Sequence, residues 1–549
     1  MSGALDRAEL EWLFKRGALS RRQFVAALAG LGVSAATIDL IAGSDAAVTE
    51  AATPHARYLV LVVLDAFRFD YLYQFHMPVL LGLAKRGAFF DRAWVGQMES
   101  ETPVSHATLG TGSFPAHDGV IGFEWRDPVT GQKSDDGWSP GAIAGDLERD
   151  LMASGVTSIA EAIKLADPRA KVASLSSEKV HAASAIGGWA ADYVLYYYPG
   201  ASPTDPLLPR SLSWHEPPRD ILTNPHLRFP RQQQTFGDWD SMSTMLALAT
   251  VSELRPRALL VNFPGVDVYG HTFGGPATPA VTSQVVAAAD RNLGHLVKAY
   301  RDAGLYDQTL FVVVGDHGMV PNDRGVGSPE IKAAVRQAGG KYMFHTGGTA
   351  ADIYLQDPTP GPAVAQAVAQ LPGVQAAYYR VLADGKWSYV LAKGITLDSK
   401  LDAANQFLLS TFAGPTSPDV VAPFRENTVM EKYLNAHGDH GGLNWGAQHV
   451  PLIFSGPGVR PGALSHFPAR LVDVAPTILR LMGTHHLKMD GIVLTDAVAG
   501  ATASEVKLQT SLTSTLTAYQ DALIQRSQDD IAEDQTAKLL PPPSLPARP

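Results

Sequence analysis

The chain of 549 residues contains no cysteine. This absence excludes disulfides, thiolate nucleophiles and cysteine-rich zinc sites, so a bound metal ion would take its ligands from His, Asp or Glu. Basic residues are fewer than acidic ones, 44 against 54, and they form no cluster along the chain. Because proteins that bind nucleic acids need a basic face, we expect no binding to nucleic-acid polymers.

The N-terminal region lacks a good membrane span. Its apolar stretch, residues 26–43, is shorter and less hydrophobic than such a span. It follows the sequence SRRQFV at Ser20–Val25, and paired arginines before a Gly/Ala-rich stretch are typical of twin-arginine export signals. We therefore predict a twin-arginine signal segment at residues 1–50, the twin-arginine export machinery as a partner, and a periplasmic or extracellular location. An ordinary helix with Arg21 and Arg22 facing solvent is the alternative interpretation.

Three apolar runs predict strands of one sheet. Each run leads to a carboxylate: residues 58–64 to Asp65, residues 258–263 to Asp267, and residues 310–314 to Asp316. Runs without alternation are typical of strands buried on both faces of a parallel sheet. With helical patterns between them, they predict an α/β fold whose mostly parallel central sheet is flanked by helices. Ligands of such sheets bind beyond the carboxyl ends of the strands, so we expect the three carboxylates to lie close together.

Two stretches depart from this strand–helix alternation. Residues 124–245 are rich in Trp, Tyr and Pro, and residues 320–430 contain a small α/β pattern of their own. We interpret both as insertions over the sheet of a catalytic domain at residues 57–500. Residues 503–549 are predicted to form a C-terminal amphipathic helix and a Pro-rich tail. The apolar side chains expected on one face of this helix are Leu508, Leu512, Tyr519 and Leu523.

Histidines accompany the strand-end carboxylates. The candidates are His271, four residues after Asp267, His317, next to Asp316, and His437 and His440 in the loop HGDHGG. Asp65 alone fits a helix N-cap equally well. The joint occurrence of these side chains at strand ends favours a centre for zinc or a similar divalent ion. Two ions about 3.5–4 Å apart can activate an attacking oxygen and stabilise a leaving oxygen in phosphoryl transfer.

A candidate nucleophile lies in the stretch ESETPVSHATLGTG at residues 99–112, which holds several hydroxyl side chains beside His106. Serine and threonine hydroxyls are poor nucleophiles at neutral pH, and no acid–base triad is evident in this sequence. Coordination to a metal ion is one recognised way to activate such a hydroxyl. We therefore expect one of these hydroxyls to lie at the predicted metal centre.

An ordered set of motifs over residues 57–495 carries a family resemblance. The motifs are LVVLDAFRFD, TPVSHATLGTGSFPAHDGVIG, DVYGH, VVVGDHGM and HGDHGGLNWGAQHVP. This set resembles the alkaline phosphatase superfamily, and within it the type I phosphodiesterase/nucleotide pyrophosphatase family with its bacterial alkaline phosphatases. The resemblance implies an alkaline-phosphatase-like three-layer sandwich with inserted cap elements and a site for two zinc ions.

The resemblance also implies roles for individual residues. One zinc ion would be held by Asp65, Asp316 and His317, and the other by Asp267, His271 and one histidine of the HGDHGG loop. His440 is expected there because it precedes His449 by nine residues, as in related bacterial enzymes, and His437 is the alternative. The family's nucleophile lies four residues before the motif histidine His106, which identifies Thr102, and this hydroxyl also contacts the metal. His106 and His449 then become structural residues. Manganese or iron would also accept these ligands.

The substrate-binding positions depart from the family pattern. Phe123 stands where the family often has an asparagine that contacts a phosphoryl oxygen. Lys179 and His181 have a spacing similar to the Lys-x-Arg pair of monoesterases. The alternative interpretation is a charged turn before a strand, which would have the same sequence pattern. We assign Phe123, Lys179 and His181 to substrate binding.

The export motif and the family resemblance together lead us to predict an exported two-zinc hydrolase of small phosphoesters. It would act through Thr102 and a phospho-threonine intermediate, as a phosphodiesterase or nucleotide pyrophosphatase. An alkaline phosphomonoesterase using the same site is one alternative, and a phosphoryl-headgroup transferase or a non-catalytic binding protein are others. A sulfatase is disfavoured, because the chain has no cysteine and Ser113 is followed by FPAH rather than by the x-P-x-R pattern.

Overall fold

The computed structural model describes residues 55–134, 136–137, 146–197, 207–209, 221, 224, 238–430, 437–484 and 488–539. The predicted signal segment at residues 1–50 and the Pro-rich tail from residue 540 lie outside the described residues. Among the described helices, none is both long enough and apolar enough to cross a membrane.

The β-strands are β1 Tyr58–Leu64, β2 Ala88–Phe90, β3 Trp125–Arg126, β4 Lys133–Ser134, β5 Val172–Ser177, β6 Tyr193–Tyr197, β7 Leu207–Pro209, β8 Ala258–Phe263, β9 Thr309–Gly315, β10 Val320–Pro321, β11 Arg324–Val326, β12 Tyr342–Thr346, β13 Ala350–Leu355, β14 Tyr378–Ala383, β15 Lys386–Leu391, β16 Val420–Pro423, β17 Thr428–Met430, β18 Gly438–Asp439, β19 Leu452–Ser455 and β20 Ala463–Ser465. The α-helices are α1 Tyr71–Gln74, α2 Pro78–Arg86, α3 Thr102–Thr111, α4 Pro115–Asp118, α5 Asp146–Ser154, α6 Ile159–Ala166, α7 Val180–Gly187, α8 Asp238–Leu254, α9 Gly265–Phe273, α10 Pro279–Asp302, α11 Ser328–Gln337, α12 Gly361–Val368, α13 Ser399–Ser410, α14 Trp445–Gln448, α15 Val474–Leu481 and α16 Ala503–Leu539.

The central sheet has nine strands in the order β20-β2-β19-β9-β1-β8-β5-β6-β7. β1 lies between β9 and β8 and is parallel to both, so that Leu64 pairs with Gly315 on one side and with Phe263 on the other. β19 is antiparallel to β9. The ends of the three predicted strands therefore meet at one edge of the sheet, which we call the carboxyl edge.

Hydrophobic cores cover both faces of this sheet. Along β1, Leu61 packs into one core and Val62 into the other. Helices α3 and α15 contribute to the first core, and α8 and α10 contribute to the second. Each fully buried Leu or Val side chain stabilises the fold by about 1.5–3 kcal/mol. This arrangement confirms the predicted three-layer α/β fold with a mostly parallel sheet.

The two predicted insertions differ in structure. Residues 320–430 contain a separate five-stranded sheet, β12-β13-β16-β14-β15, with α11 and α12 packed against it. Residues 124–245, in contrast, do not lie wholly over the central sheet, because β5, β6 and β7 are strands of it. The sequence of β5 is VASLSS and every side chain is buried. Its serines interrupt the apolar run from which a buried strand would be predicted.

Helix α16 begins at the predicted residue and packs on α13, where the rings of Phe407 and Tyr519 stack. Leu523 is buried as expected, but Leu508 is 49% exposed, because the neighbouring Gln509 faces the domain at this turn and accepts hydrogen bonds from Thr495. Asp530, nearer the C-terminal end, accepts hydrogen bonds from Arg425 Nε, Arg526 Nε and the backbone N–H of Glu426.

His449, predicted to be structural, lies just before β19 between two aromatic rings. Its ring stacks on Phe69 and Trp445, with centroid separations of 4.1 and 4.8 Å. Its Nε2–H donates to the backbone oxygen of Asp91 over 3.0 Å. Burial lowers the pKa of His449 to about 4, although the hydrogen bond to Asp91 opposes this shift.

We expect the Asp530→Ala variant to be destabilised, because it leaves the buried Glu426 N–H without its acceptor. Such a loss costs about 1–3 kcal/mol of unfolding free energy. Asp529→Ala is the matched control, since Asp529 accepts only an exposed hydrogen bond from Gln525 among the described residues. Thermal unfolding should give a lower midpoint for the Asp530 variant than for the control; equal midpoints would show that this contact does not stabilise the fold.

A pH effect should follow from His449. Its folded-state pKa of about 4 lies below the ordinary value of 6.5, so only the unfolded chain binds a proton between these values. Its contribution, on the order of 1–3 kcal/mol, is present above pH 6.5 and lost as the pH falls towards 4. In urea titrations the His449→Gln variant should lose less stability over this range than the wild type does. Parallel pH profiles would argue against a neutral, buried His449.

Candidate metal centre

Thr102 is the first residue of helix α3, which begins at the carboxyl edge of the sheet. Every residue of α3 is buried, and Gly112 ends the helix with a positive φ of 63°, a conformation that favours glycine. The Thr102 side chain is fully buried. Its Oγ1 lies 3.2 Å from His317 Nε2 and 3.5 Å from Asp65 Oδ1. The predicted nucleophile thus faces the predicted metal ligands.

One group of these ligands follows the ends of β1 and β9. His317 Nε2 lies 3.5 Å from Asp65 Oδ1 and 3.4 Å from Asp316 Oδ2. The other oxygen of Asp316 accepts hydrogen bonds from the backbone N–H groups of Ala66 and His317, which orient the carboxylate. All three ligand side chains are fully buried. With Thr102 Oγ1, this group offers four ligand atoms.

The second group comes from helix α9 and the loop after residue 436. Asp267 and His271 are four residues apart on α9 and therefore share one face. Asp267 Oδ1 lies 3.4 Å from His271 Nε2 and 3.3 Å from His440 Nε2. His437, the alternative to His440, is exposed, and its backbone N–H donates to the His271 oxygen. The structure therefore brings His440, and not the His437 side chain, to this group.

The three histidine rings are oriented alike. The Nδ1 atoms of His271, His317 and His440 face the backbone oxygens of Gly438, Gly318 and Ser100, at 3.0, 2.9 and 3.1 Å. A carbonyl oxygen only accepts hydrogen bonds, so each Nδ1 carries a proton. Each Nε2 is then the atom available to a metal ion, and the carbonyl holds the ring in place as such outer contacts do in metalloproteins.

The spacing of the ligand atoms fits zinc. Two ligands that are each about 2.0–2.1 Å from a tetrahedral zinc ion lie about 3.3 Å from one another. The separations between neighbouring ligand atoms within the two groups are 3.2–3.5 Å. These distances exceed those of charge-assisted hydrogen bonds. The donor set and its spacing therefore suit divalent ions, which could be held by Asp267, half-buried His271 and His440 and by Asp65, Asp267 and His317, with Asp316 Oδ2 3.4 Å from His317 Nε2.

The charges around Asp267 differ from those around its neighbours. Burial raises the pKa of Asp267, but Lys179 and His271 outweigh it and hold that pKa well below its ordinary value. Burial and Asp267 together raise the pKa of Asp65 to about 6. Lys179 Nζ lies 2.5 Å from Asp267 Oδ2. The predicted substrate-binding lysine is thus bound to a candidate metal ligand.

The other two predicted substrate-binding residues contact each other. The rings of Phe123 and His181 meet edge to face, with centroids 5.0 Å apart. The backbone N–H of Phe123 donates to Glu101 Oε2 over 3.2 Å. Glu101 is 5% exposed and directly precedes Thr102. The Glu101 carboxylate therefore lies next to Phe123, the position where the family often has an asparagine.

Sequence reasoning missed two polar residues of this region. Glu101 could have been noticed as an acidic side chain next to the candidate nucleophile. Asn262 is the one polar side chain in the strand sequence ALLVNF, and it donates to Asp65 Oδ2 over 2.9 Å. A polar residue inside an apolar strand could have indicated a contact with another polar group, since a buried amide needs hydrogen-bond partners.

Comparison with known proteins identifies the family of this chain. The model of the type I phosphodiesterase/nucleotide pyrophosphatase family matches residues 59–443, which is more than half of the chain. The chain belongs to this family. This match confirms the predicted family.

Individual relatives are more distant. The alkaline phosphatase PhoK of Sphingomonas sp is 25% identical over 320 residues, which cover 49% of this chain and 56% of PhoK. The chain spans about half the length of the curated relatives it matches. The crystal structure of the alkaline phosphatase PafA has a TM-score of 0.63 at 16% identity, covering 82% of this chain and 100% of PafA. Murine ectonucleotide pyrophosphatase/phosphodiesterase 5, an inactive threonine-to-alanine variant with AMP, has a TM-score of 0.55 at 16% identity, covering 81% of this chain and 100% of that one. At such identities these structures support the fold.

We expect His440→Ala to lower the number of bound metal ions from two to about one, because it removes a ligand of the second group. His437→Ala is the matched control from the same loop and should keep both ions. Elemental analysis after loading with zinc and desalting measures this number. Full metal content in the His440 variant would contradict its proposed role as a ligand.

Proposed function

We propose that this chain is an exported two-zinc phosphoester hydrolase of the phosphodiesterase/nucleotide pyrophosphatase type, with Thr102 as its nucleophile. The observation that carries the proposal is the position of Thr102 Oγ1, fully buried and within 3.5 Å of two candidate metal ligands. Asp65, Asp316 and His317 would hold one ion, and Asp267, His271 and His440 the other. Zinc, when bound, lowers the pKa of a neighbouring hydroxyl or water and neutralises charge on phosphoryl oxygens.

Helix α3 prepares Thr102 for attack on phosphorus. The first N–H groups of a helix have no partner within it, and they and the helix dipole favour an anion at this end. Because His317 Nε2, 3.2 Å from Thr102 Oγ1, would be occupied by the ion and its Nδ1 already donates to Gly318, the Thr102 proton would pass to solvent and not to that ring. Attack by Oγ1 forms the phospho-threonine and releases the alcohol or phosphate leaving group. Water then cleaves the Oγ1–phosphorus bond and restores the hydroxyl.

The surroundings of Phe123 favour a diester substrate. A phosphodiester carries one negative charge, whereas a monoester carries two at alkaline pH. The Glu101 carboxylate, bound to the Phe123 N–H beside the nucleophile, disfavours the second charge. The apolar Phe123 ring suits the additional organic group of a diester. The AMP complex of the related murine protein supports a substrate of nucleotide size.

Alkaline phosphomonoesterase activity at the same site is the second candidate, and Lys179 favours it. Burial lowers the pKa of Lys179, but Asp267 and Asp65 raise it above its ordinary value, so the ammonium stays charged. A fixed positive charge 2.5 Å from a candidate metal ligand could stabilise the second charge of a monoester. Export remains part of the proposal and rests on the SRRQFV motif at Ser20–Val25.

Hydrolysis of bis-p-nitrophenyl phosphate and p-nitrophenyl phosphate by the zinc-loaded protein tests the reaction. We expect the diester to be preferred, and Thr102→Ala to lower kcat by at least about 10³-fold, as loss of a nucleophile does. Thr102→Ser, which keeps the hydroxyl, is the matched control and should retain measurable activity. Preference for the monoester would identify a phosphatase. Absence of Thr102-dependent turnover in protein that holds two metal ions would indicate a transferase or a binding protein.

A further inference from the structure

We propose that Asn262 is a positioning residue that holds Asp65 and the start of helix α3 in one fixed arrangement. The inference rests on the proposed function, since it assigns Asn262 a role through a metal ligand and through the nucleophile's helix. Asn262 lies in β8, where it pairs with Val63 of β1, and it is 1% exposed. Val63 lies two residues before Asp65. A buried amide costs about 1–3 kcal/mol unless its donors and acceptor are satisfied, so its hydrogen bonds reveal what it does there.

The orientation of the Asn262 amide follows from its neighbours. The atom 2.9 Å from Asp65 Oδ2 is Nδ2. An ionised carboxylate only accepts hydrogen bonds, so the nitrogen and not the oxygen must face Asp65. On the other side, the Ser176 hydroxyl can donate to Asn262 Oδ1 over 3.0 Å. Both ends of the amide thus have a partner that suits this orientation.

The second N–H of the amide fixes the state of His106. Asn262 Nδ2 lies 3.1 Å from His106 Nε2, which must therefore accept. The proton of the neutral ring is then on Nδ1, which donates to the Thr102 backbone oxygen over 2.8 Å. His106 is fully buried. A continuous chain of hydrogen bonds runs from Asp65 through Asn262 and His106 to Thr102.

This series of hydrogen bonds positions both the candidate metal ligand Asp65 and the candidate nucleophile Thr102. Because Asn262 binds Asp65 Oδ2, the other carboxylate oxygen is directed towards Thr102 Oγ1 and His317 Nε2, each 3.5 Å away. Through His106, the same amide holds the backbone of Thr102. A single side chain thereby sets the distance between a metal ligand and the nucleophile, a role that packing alone would not require.

The test compares Asn262→Leu and Asn262→Asp with Asn292→Asp. Leucine keeps the volume without hydrogen bonds, and aspartate keeps the shape but cannot donate to Asp65. Asn292 is a matched control, because it is also buried, at 5% exposed, and donates to the Ala288 oxygen in helix α10, outside the metal centre. The measurements are the zinc dissociation constants by chelator competition, kcat and KM for the preferred chromogenic ester, and the unfolding midpoint.

Both Asn262 variants should bind one of the two zinc ions, the one held by the Asp65 group, about 10–100-fold less tightly, the usual effect of losing a contact to a metal ligand. They should lower kcat by a similar factor and change KM by less than about threefold, because Asn262 does not contact substrate. Asn292→Asp should lower only the unfolding midpoint. Where the leucine variant does not fold, the aspartate variant is judged by the same criteria.

Unchanged zinc affinity and kcat in a folded Asn262 variant would overturn this inference and make Asn262 a packing residue. The result is separable from failure of the proposed function. A wild-type protein that binds no zinc or shows no Thr102-dependent hydrolysis would refute the function itself. If the wild type binds zinc and shows Thr102-dependent hydrolysis while the Asn262 variants are unaffected, only the positioning role is refuted.

Discussion

Repulsion among three buried carboxylates is the constraint on which the site depends. Asp65, Asp267 and Asp316 meet at the carboxyl edge with no exposed surface, and unpaired charges in such surroundings are strongly unfavourable. Within the chain, Lys179 and His271 supply compensating charge; burial lowers the pKa of His271, but Asp267 raises it to about 9. A divalent ion carries two charges and accepts the histidine nitrogens as well. The charge balance and the spacing of the candidate ligands therefore both favour a divalent metal ion.

The sheet explains why residues so far apart in sequence share this edge. Because β1 lies in register between β8 and β9, the residues after all three strands are placed by backbone hydrogen bonds. β19 runs antiparallel to β9, so it begins where β9 ends, and the loop before it returns to the same edge. This loop brings His440 to Asp267. The position of the candidate ligands is thus a property of the topology, and the local loops only adjust it.

The parts of this arrangement that follow from local patterns were predictable from sequence. Largely apolar runs predicted β1, β8 and β9, and the carboxylates after them predicted the candidate ligand groups. Contacts between distant residues were not predictable: Asn262 and His106 are 156 positions apart, and neither position alone indicates the other. β5 was missed because its serines are satisfied by contacts made only in the folded sheet, such as that of Ser176 with Asn262. The exposure of Leu508 likewise depends on where α16 meets the domain, which helical periodicity does not specify.

In the proposed function, Lys179 would connect the candidate metal centre to the choice of substrate. In the chain alone its ammonium is bound by Asp267, and a divalent ion at Asp267 would weaken that attraction because one carboxylate cannot fully neutralise both cations. The ammonium would then be available to a phosphoryl oxygen, to which charge-assisted hydrogen bonds are strong. Glu101 opposes this effect on the side of Phe123. Mono- and diesters differ by one charge, so the balance between these two side chains, more than the shape of the pocket, would decide which ester the site prefers.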